Sequence, residues 1–125
     1  MDMRKIYENE IIGAGKEVCA FGEEMMIFFG DQAPDTLKDY CYSIPTAKTS
    51  AAMKAGQFFS IDDVLFQIKY VGELAEKNLN ELGHLTVSFT DTEDARLPGT
   101  IVVEKKRLPL VRIGSRIEIF EDDNV

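Results

Sequence analysis

The feature that most constrains the fold is an alternation of apolar and polar side chains with a period of two. It is clearest over residues 64–70. One face of that segment carries Val64, Phe66, Ile68 and Tyr70, and the other face carries Gln67 and Lys69. Because successive side chains of a β-strand point to opposite faces, this pattern predicts a strand with one face in a core.

Further strand patterns follow one another along the chain, and turn residues separate them. The predicted strands cover residues 4–12, 24–29, 56–61, 84–90, 100–104 and 116–120, and the turns include residues 30–31, 62–63, 91–94, 98–99 and 113–115. About six short strands at this spacing predict an all-β sandwich or a small barrel. We favour a closed or partly open antiparallel barrel, because a single short sheet would leave two edges to protect.

One short helix interrupts the strands. Its predicted apolar face consists of Leu74, Ala75, Leu79 and Leu82. Gly83 lies where a left-handed residue would end the helix, and His84, the single histidine of the chain, opens the next strand. Residues 34–38 are predicted to add one helical turn, and residues 43–55 to form a long loop.

Length and composition indicate one domain over residues 1–125 and a cytoplasmic location. The chain has 125 residues, 45% of them hydrophobic, with a net charge of −8. The acidic excess argues against nucleic acid as a partner, and no segment approaches the roughly 18 apolar residues of a membrane span, so we expect no membrane insertion. The last residues, 121–125, are predicted to be a frayed tail.

Two cysteines, Cys19 and Cys41, are the only thiols of the chain. They have no paired spacing and no second histidine to complete a zinc site, so we expect no metal and no cofactor. In a reducing compartment both are predicted to be reduced and mostly packed.

Several blocks of the sequence match a known family in order and spacing. The helix-to-strand run, Asn78-Leu79-Asn80-Glu81-Leu82-Gly83-His84 within residues 70–89, resembles the corresponding block of the glucitol/sorbitol-specific enzyme IIA component of the bacterial sugar phosphotransferase system. Residues 30–41, 56–60, 97–100 and 114–115 align as well. The resemblance covers nearly the whole chain.

The resemblance implies a cytoplasmic phosphoryl carrier in carbohydrate uptake. Such a protein takes phosphate onto a histidine from the phosphoenolpyruvate-dependent histidine phosphocarrier protein and passes it toward the membrane sugar permease components. Imidazole suits the role because a neutral ring nitrogen is a nucleophile at neutral pH. The resemblance leaves a homodimer open.

The chain departs from the family at the residue that matters most for this chemistry. The family's acceptor histidine follows a Tyr-Cys pair, in a loop that usually carries a second histidine two positions on. Here Ile44 occupies the acceptor position and Thr46 the second one. Isoleucine has no lone pair and cannot carry phosphate.

Two hypotheses follow from this departure. In the first, His84 replaces the missing acceptor on the exposed face of its strand, with Glu81 or Asp39 to orient the ring. In the second, His84 only supports the helix-strand junction, as the family's own Gly-His pair does, and the protein is a degenerate paralogue that acts as a non-phosphorylated binding or regulatory module.

Other groups offer weaker alternatives. Cys41 could carry phosphate as a thiolate, but a cysteine between two tyrosines favours a packed side chain. The hydroxyls of Ser43, Thr46, Thr49 and Ser50 could tolerate phosphate, but a flexible solvated loop is the favoured explanation for them. Residues 105–107 form a basic group that could meet an acidic protein partner or simply occupy a surface turn.

Overall fold

The computed structural model describes residues 3–122 of the chain. The strands are β1 Met3–Glu10, β2 Gly13–Ala14, β3 Met25–Phe29, β4 Cys41–Ser43, β5 Phe58–Ile61, β6 Val64–Val71, β7 Leu85–Ser88, β8 Thr100–Val103 and β9 Arg116–Asp122. The helices are α1 Asp35–Lys38 and α2 Ala75–Leu82, and a 3-10 turn covers Glu93–Ala95.

These strands form one mixed sheet in the order β1-β9-β5-β6-β8-β7-β3-β4-β2. Most neighbours are antiparallel, but β3 pairs with β4 and β7 with β8 in parallel. The two ends of the sheet, β1 and β2, are consecutive in sequence. Between them the Ile11 N–H donates to the Ser115 carbonyl at 2.9 Å, and the Ile12 N–H to the Ser43 carbonyl at 2.8 Å. The sheet is therefore curved, and its two end strands lie close enough for only two residues to connect them.

The all-β class with one main helix is confirmed. The sheet has nine strands where about six were predicted, since β2 and β4 are too short to show a period. No strand ladder joins β1 to β2 in the described part of the chain, so the observed form is the partly open one. The two parallel pairs depart from the antiparallel arrangement that we expected, because pairing direction depends on contacts between distant segments.

The buried apolar residues form one large hydrophobic cluster and a smaller one that consists of Ile27, Phe29 and Cys41. The largest fully buried side chains of the large cluster include Phe28, Phe59, Phe66, Phe89, Ile61 and Ile117. The predicted frayed tail is wrong for Glu121 and Asp122, which pair with β1 as the last residues of β9. The rest of that tail, residues 123–125, lies outside the described residues.

Helix α2 ends as the sequence predicts. Gly83 is left-handed, with φ of 68°, and its N–H donates to the Leu79 carbonyl at 3.0 Å. The next N–H, that of His84, donates to the Asn78 carbonyl at 3.1 Å. Of the predicted apolar face, Ala75 and Leu79 are buried, whereas Leu74 and Leu82 at the two ends of the helix are exposed.

Alanine at position 83 should destabilise the protein more than alanine at another left-handed glycine. A Cβ at Gly83 would lie 3.0 Å from the Gly30 nitrogen, whereas Gly22, with φ of 60°, has no atom within 4 Å of its Cβ position. The left-handed conformation alone costs a non-glycine residue about 1–2 kcal/mol. We expect Gly22→Ala to lose that amount in urea unfolding and Gly83→Ala to lose clearly more. Equal losses would show that the contact with Gly30 is unimportant.

Candidate functional site

The long loop after β4 is held against helix α2 by two side chains of the helix. The Thr49 N–H donates to Asn80 Oδ1 at 2.8 Å, and Asn80 Nδ2 donates to Thr49 Oγ1 at 3.3 Å. Further along, the Met53 N–H donates to Glu76 Oε1 at 2.8 Å. The loop that carries positions 44 and 46 therefore has a defined place beside the helix that precedes His84.

Position 44 lies in the core. Ile44 is 1% exposed, and its N–H donates to the Phe29 carbonyl at 3.1 Å. A Cβ built at Gly83 would lie 3.6 Å from Ile44 Cγ1, so the isoleucine side chain reaches the end of α2. Burial of an isoleucine contributes about 1.5–3 kcal/mol to stability. At this position the chain thus has a core residue in place of a nucleophile.

His84 lies next to this position. Its ring stacks on the Phe29 ring with centroids 4.2 Å apart and planes 16° apart. Phe29 therefore contacts both residues, since its carbonyl accepts the hydrogen bond from Ile44. The structure therefore stacks the single imidazole of the chain on a residue whose carbonyl bonds to position 44.

Burial lowers the pKa of His84 below its ordinary value. The ring is half-buried, on the strand face that was expected to be accessible. A lowered pKa keeps the ring neutral at neutral pH, with a lone pair on one nitrogen. The electrostatic condition for a nucleophilic imidazole is therefore met.

The predicted carboxylate partner of His84 is wrong. Within residues 3–122 neither ring nitrogen of His84 has a hydrogen bond or an ion pair. Asp39 instead faces Lys16, with 3.8 Å between the carboxylate oxygen and Nζ, and Glu81 is exposed. No protein group of the described chain fixes the tautomer of the imidazole.

The other candidate nucleophiles are less suited to phosphate. Cys41 is buried, its Sγ donates to the Leu37 carbonyl at 3.2 Å, and burial raises the pKa of its thiol, so the thiolate is disfavoured. Cys19 is exposed, which contradicts the expectation that both thiols are mostly packed. Thr49 already bonds to Asn80, while Thr46 is exposed close to Gly30.

Glycine is required at position 30 for the loop and the helix to approach each other. The Gly30 N–H donates to the Leu82 carbonyl at 3.0 Å. A Cβ at Gly30 would lie 2.6 Å from that carbonyl oxygen and 3.2 Å from Thr46 Oγ1. Thr46, Gly30 and the end of α2 therefore form one side of the site.

Sequence reasoning missed the residues that build the site around His84. Phe29 was predicted only as a strand residue, and Asn80 and Glu76 only as polar positions of a helix. Their partners are at least 15 residues away along the chain, so no local pattern could reveal the contacts. Only the family resemblance of residues 78–84 indicated from the sequence that this region belongs to the site.

Two features are absent from the described part of the chain. Residues 3–122 hold no group of three or more histidine, cysteine or acidic side chains placed to bind a metal ion. In the same residues, no helix has the length and apolar character needed to cross a membrane.

Comparison with known proteins gives one consistent family. The model of the glucitol/sorbitol-specific IIA component of the phosphotransferase system matches residues 6–118. The glucitol/sorbitol-specific EIIA components of Escherichia coli strain K12 and Shigella flexneri are each 34% identical over 102 residues, which cover 81% of this chain and 83% of theirs.

A solved structure agrees with these relatives. The crystal structure of a phosphotransferase-system IIA component from Enterococcus faecalis V583 superposes with a TM-score of 0.78 at 29% identity, covering 89% of this chain and 97% of that one. The fold is thus that of a phosphotransferase-system IIA component. The chain belongs to the glucitol/sorbitol-specific IIA family.

His84 should titrate below the ordinary histidine pKa of about 6.5. Because the fold disfavours the charged ring, the unfolded chain binds the proton more readily, and stability falls as the pH drops through that value. The chain has one histidine, so a single Hε1 proton NMR signal reports the titration without assignment. A midpoint above 6.5 would show that a negative charge, rather than burial, dominates at the ring.

Proposed function

We propose that this protein is a cytoplasmic IIA component that relays phosphate from the histidine phosphocarrier protein toward the membrane sugar permease, with His84 as the acceptor. One observation carries the proposal: the single imidazole of the chain contacts Phe29, which also bonds to Ile44 at the family's acceptor position. The family and the relatives' names support the glucitol/sorbitol pathway as the setting.

The transfer needs a neutral imidazole at the surface where the donor docks. A ring nitrogen of His84 attacks the phosphorus of the donor's phosphohistidine, and a new N–P bond forms as the donor's N–P bond breaks. The electron pair of the broken bond stays on the donor's nitrogen. The lowered pKa of His84 supports this step because a protonated ring has no lone pair to offer.

A second candidate is a binding or regulatory module that carries no phosphate. Two observations favour this module. Within residues 3–122 no group orients the His84 ring, and Ile44 is completely buried. In that case the protein would dock with phosphotransferase partners through the same fold, and His84 would support the helix-strand junction by stacking on Phe29.

Phosphorylation in a reconstituted system separates the two candidates. The protein is incubated with phosphoenolpyruvate and the general phosphotransferase proteins, and its intact mass is measured. We expect an acid-labile gain of one phosphoryl group that His84→Gln abolishes and Cys41→Ser leaves in place. A wild-type protein that gains nothing would contradict the carrier function, and a label that survives His84→Gln would contradict the assignment of the acceptor.

Restoring the family's residues provides the matched control. Thr46→His changes an exposed position, and Ile44→His with Thr46→His rebuilds the usual pair, with circular dichroism to confirm that each variant folds. If only the rebuilt pair takes up phosphate, the donor docks normally and the wild-type protein is the non-phosphorylated module. If wild type and variants are all labelled, His84→Gln in each background identifies which imidazole carries the group.

A further inference from the structure

A groove lies away from the His84 site, between the turns that follow β2 and the segment that links β8 to β9. Its volume is about 470 Å³. Its apolar lining includes Val18, Met25, Met26, Tyr42 and Leu108. Neither His84 nor Phe29, on which it stacks, lines the groove, so the groove is a surface separate from that ring pair.

One rim of this groove carries more basic than acidic side chains, although the chain as a whole is acidic. Arg107 and Glu23 both line the groove, and both also line a neighbouring depression of about 390 Å³ together with Lys105 and Lys106. Lys106 pairs with Glu104 at 3.6 Å. Lys105 and Arg107 are exposed, and the described chain provides neither with an ion pair. The rim therefore has cations that are free to meet an external acid.

Charge indicates the kind of occupant, and volume limits its size. A volume near 470 Å³ lies within the roughly 300–1,000 Å³ of pockets that enclose a drug-sized ligand, so at most a few side chains of a partner fit in it. A net charge of −8 repels acidic proteins from most of the surface. The unpaired cations at one rim therefore favour an acidic segment at the groove.

We propose that this groove binds a short acidic and apolar segment of a partner protein. Apolar side chains of the segment lie on Met26, Tyr42 and Leu108, and its carboxylates meet Lys105 and Arg107. Leu110, which is exposed and also lines the groove, adds to this apolar surface.

Fluorescence anisotropy of a dye-labelled probe peptide tests the proposal. The probe contains leucines flanked by glutamates, and a second peptide has lysine in place of each glutamate. We expect the acidic probe to bind and the basic one not to bind. Arg107→Glu should weaken the acidic probe roughly tenfold, because charge reversal removes an attraction and adds a repulsion.

Two matched controls keep the result specific to the groove. Arg112→Glu changes the same charge on the same segment but outside the lining, and it should leave the affinity within about twofold. A bulky maleimide attached to the exposed Cys19, which lines the groove, should block the probe, while Cys41 is buried.

Several results would overturn the proposal. They are absence of binding by the acidic probe, equal effects of Arg107→Glu and Arg112→Glu, and equal affinity for the basic probe. Binding of the protein to phosphatidylserine vesicles with the same dependence on Arg107 would assign the surface to a membrane instead. Sedimentation as a dimer that Arg107→Glu dissociates would assign it to a second copy of the chain.

Discussion

The contact between Gly30 and the end of helix α2 is the constraint on which the site depends. The Gly30 N–H donates to the Leu82 carbonyl. A side chain at Gly30 would press on the end of α2, and a side chain at Gly83 would press on Gly30. This contact brings the end of β3 beside Gly83 and His84, so the Phe29 ring stacks on the His84 ring. The carbonyl of the same Phe29 then fixes the start of the loop at Ile44.

Ile44, at the position that the resemblance aligns with the family's acceptor histidine, has a structural role in this chain. A buried imidazole requires a hydrogen-bond partner, whereas a buried isoleucine adds to the core without one. The loop keeps its tethers to Asn80 and Glu76, so its path does not depend on a nucleophile at position 44. Stability of the loop and phosphate chemistry are therefore separable in this fold.

The sequence predicted the elements that have a local period or a local stop signal. The alternation over residues 64–70 identified β6, and Gly83 identified the end of α2, because each depends on neighbouring residues alone. The strand order, the parallel pairs and the stack of His84 on Phe29 depend on contacts between distant segments, which no local pattern records. His84 was found because it is the single histidine, but its partner and its half-buried state were not.

We propose that a ring nitrogen of His84 accepts the phosphoryl group. The most direct measurement is an NMR spectrum of the two ring nitrogens in protein labelled with ¹⁵N-histidine, before and after addition of the phosphorylated histidine phosphocarrier protein. Since the chain has one histidine, each ring nitrogen gives one signal. The account predicts that one of the two signals moves to the position of a phosphorylated nitrogen with coupling to ³¹P. Unchanged signals in the presence of active donor would contradict it.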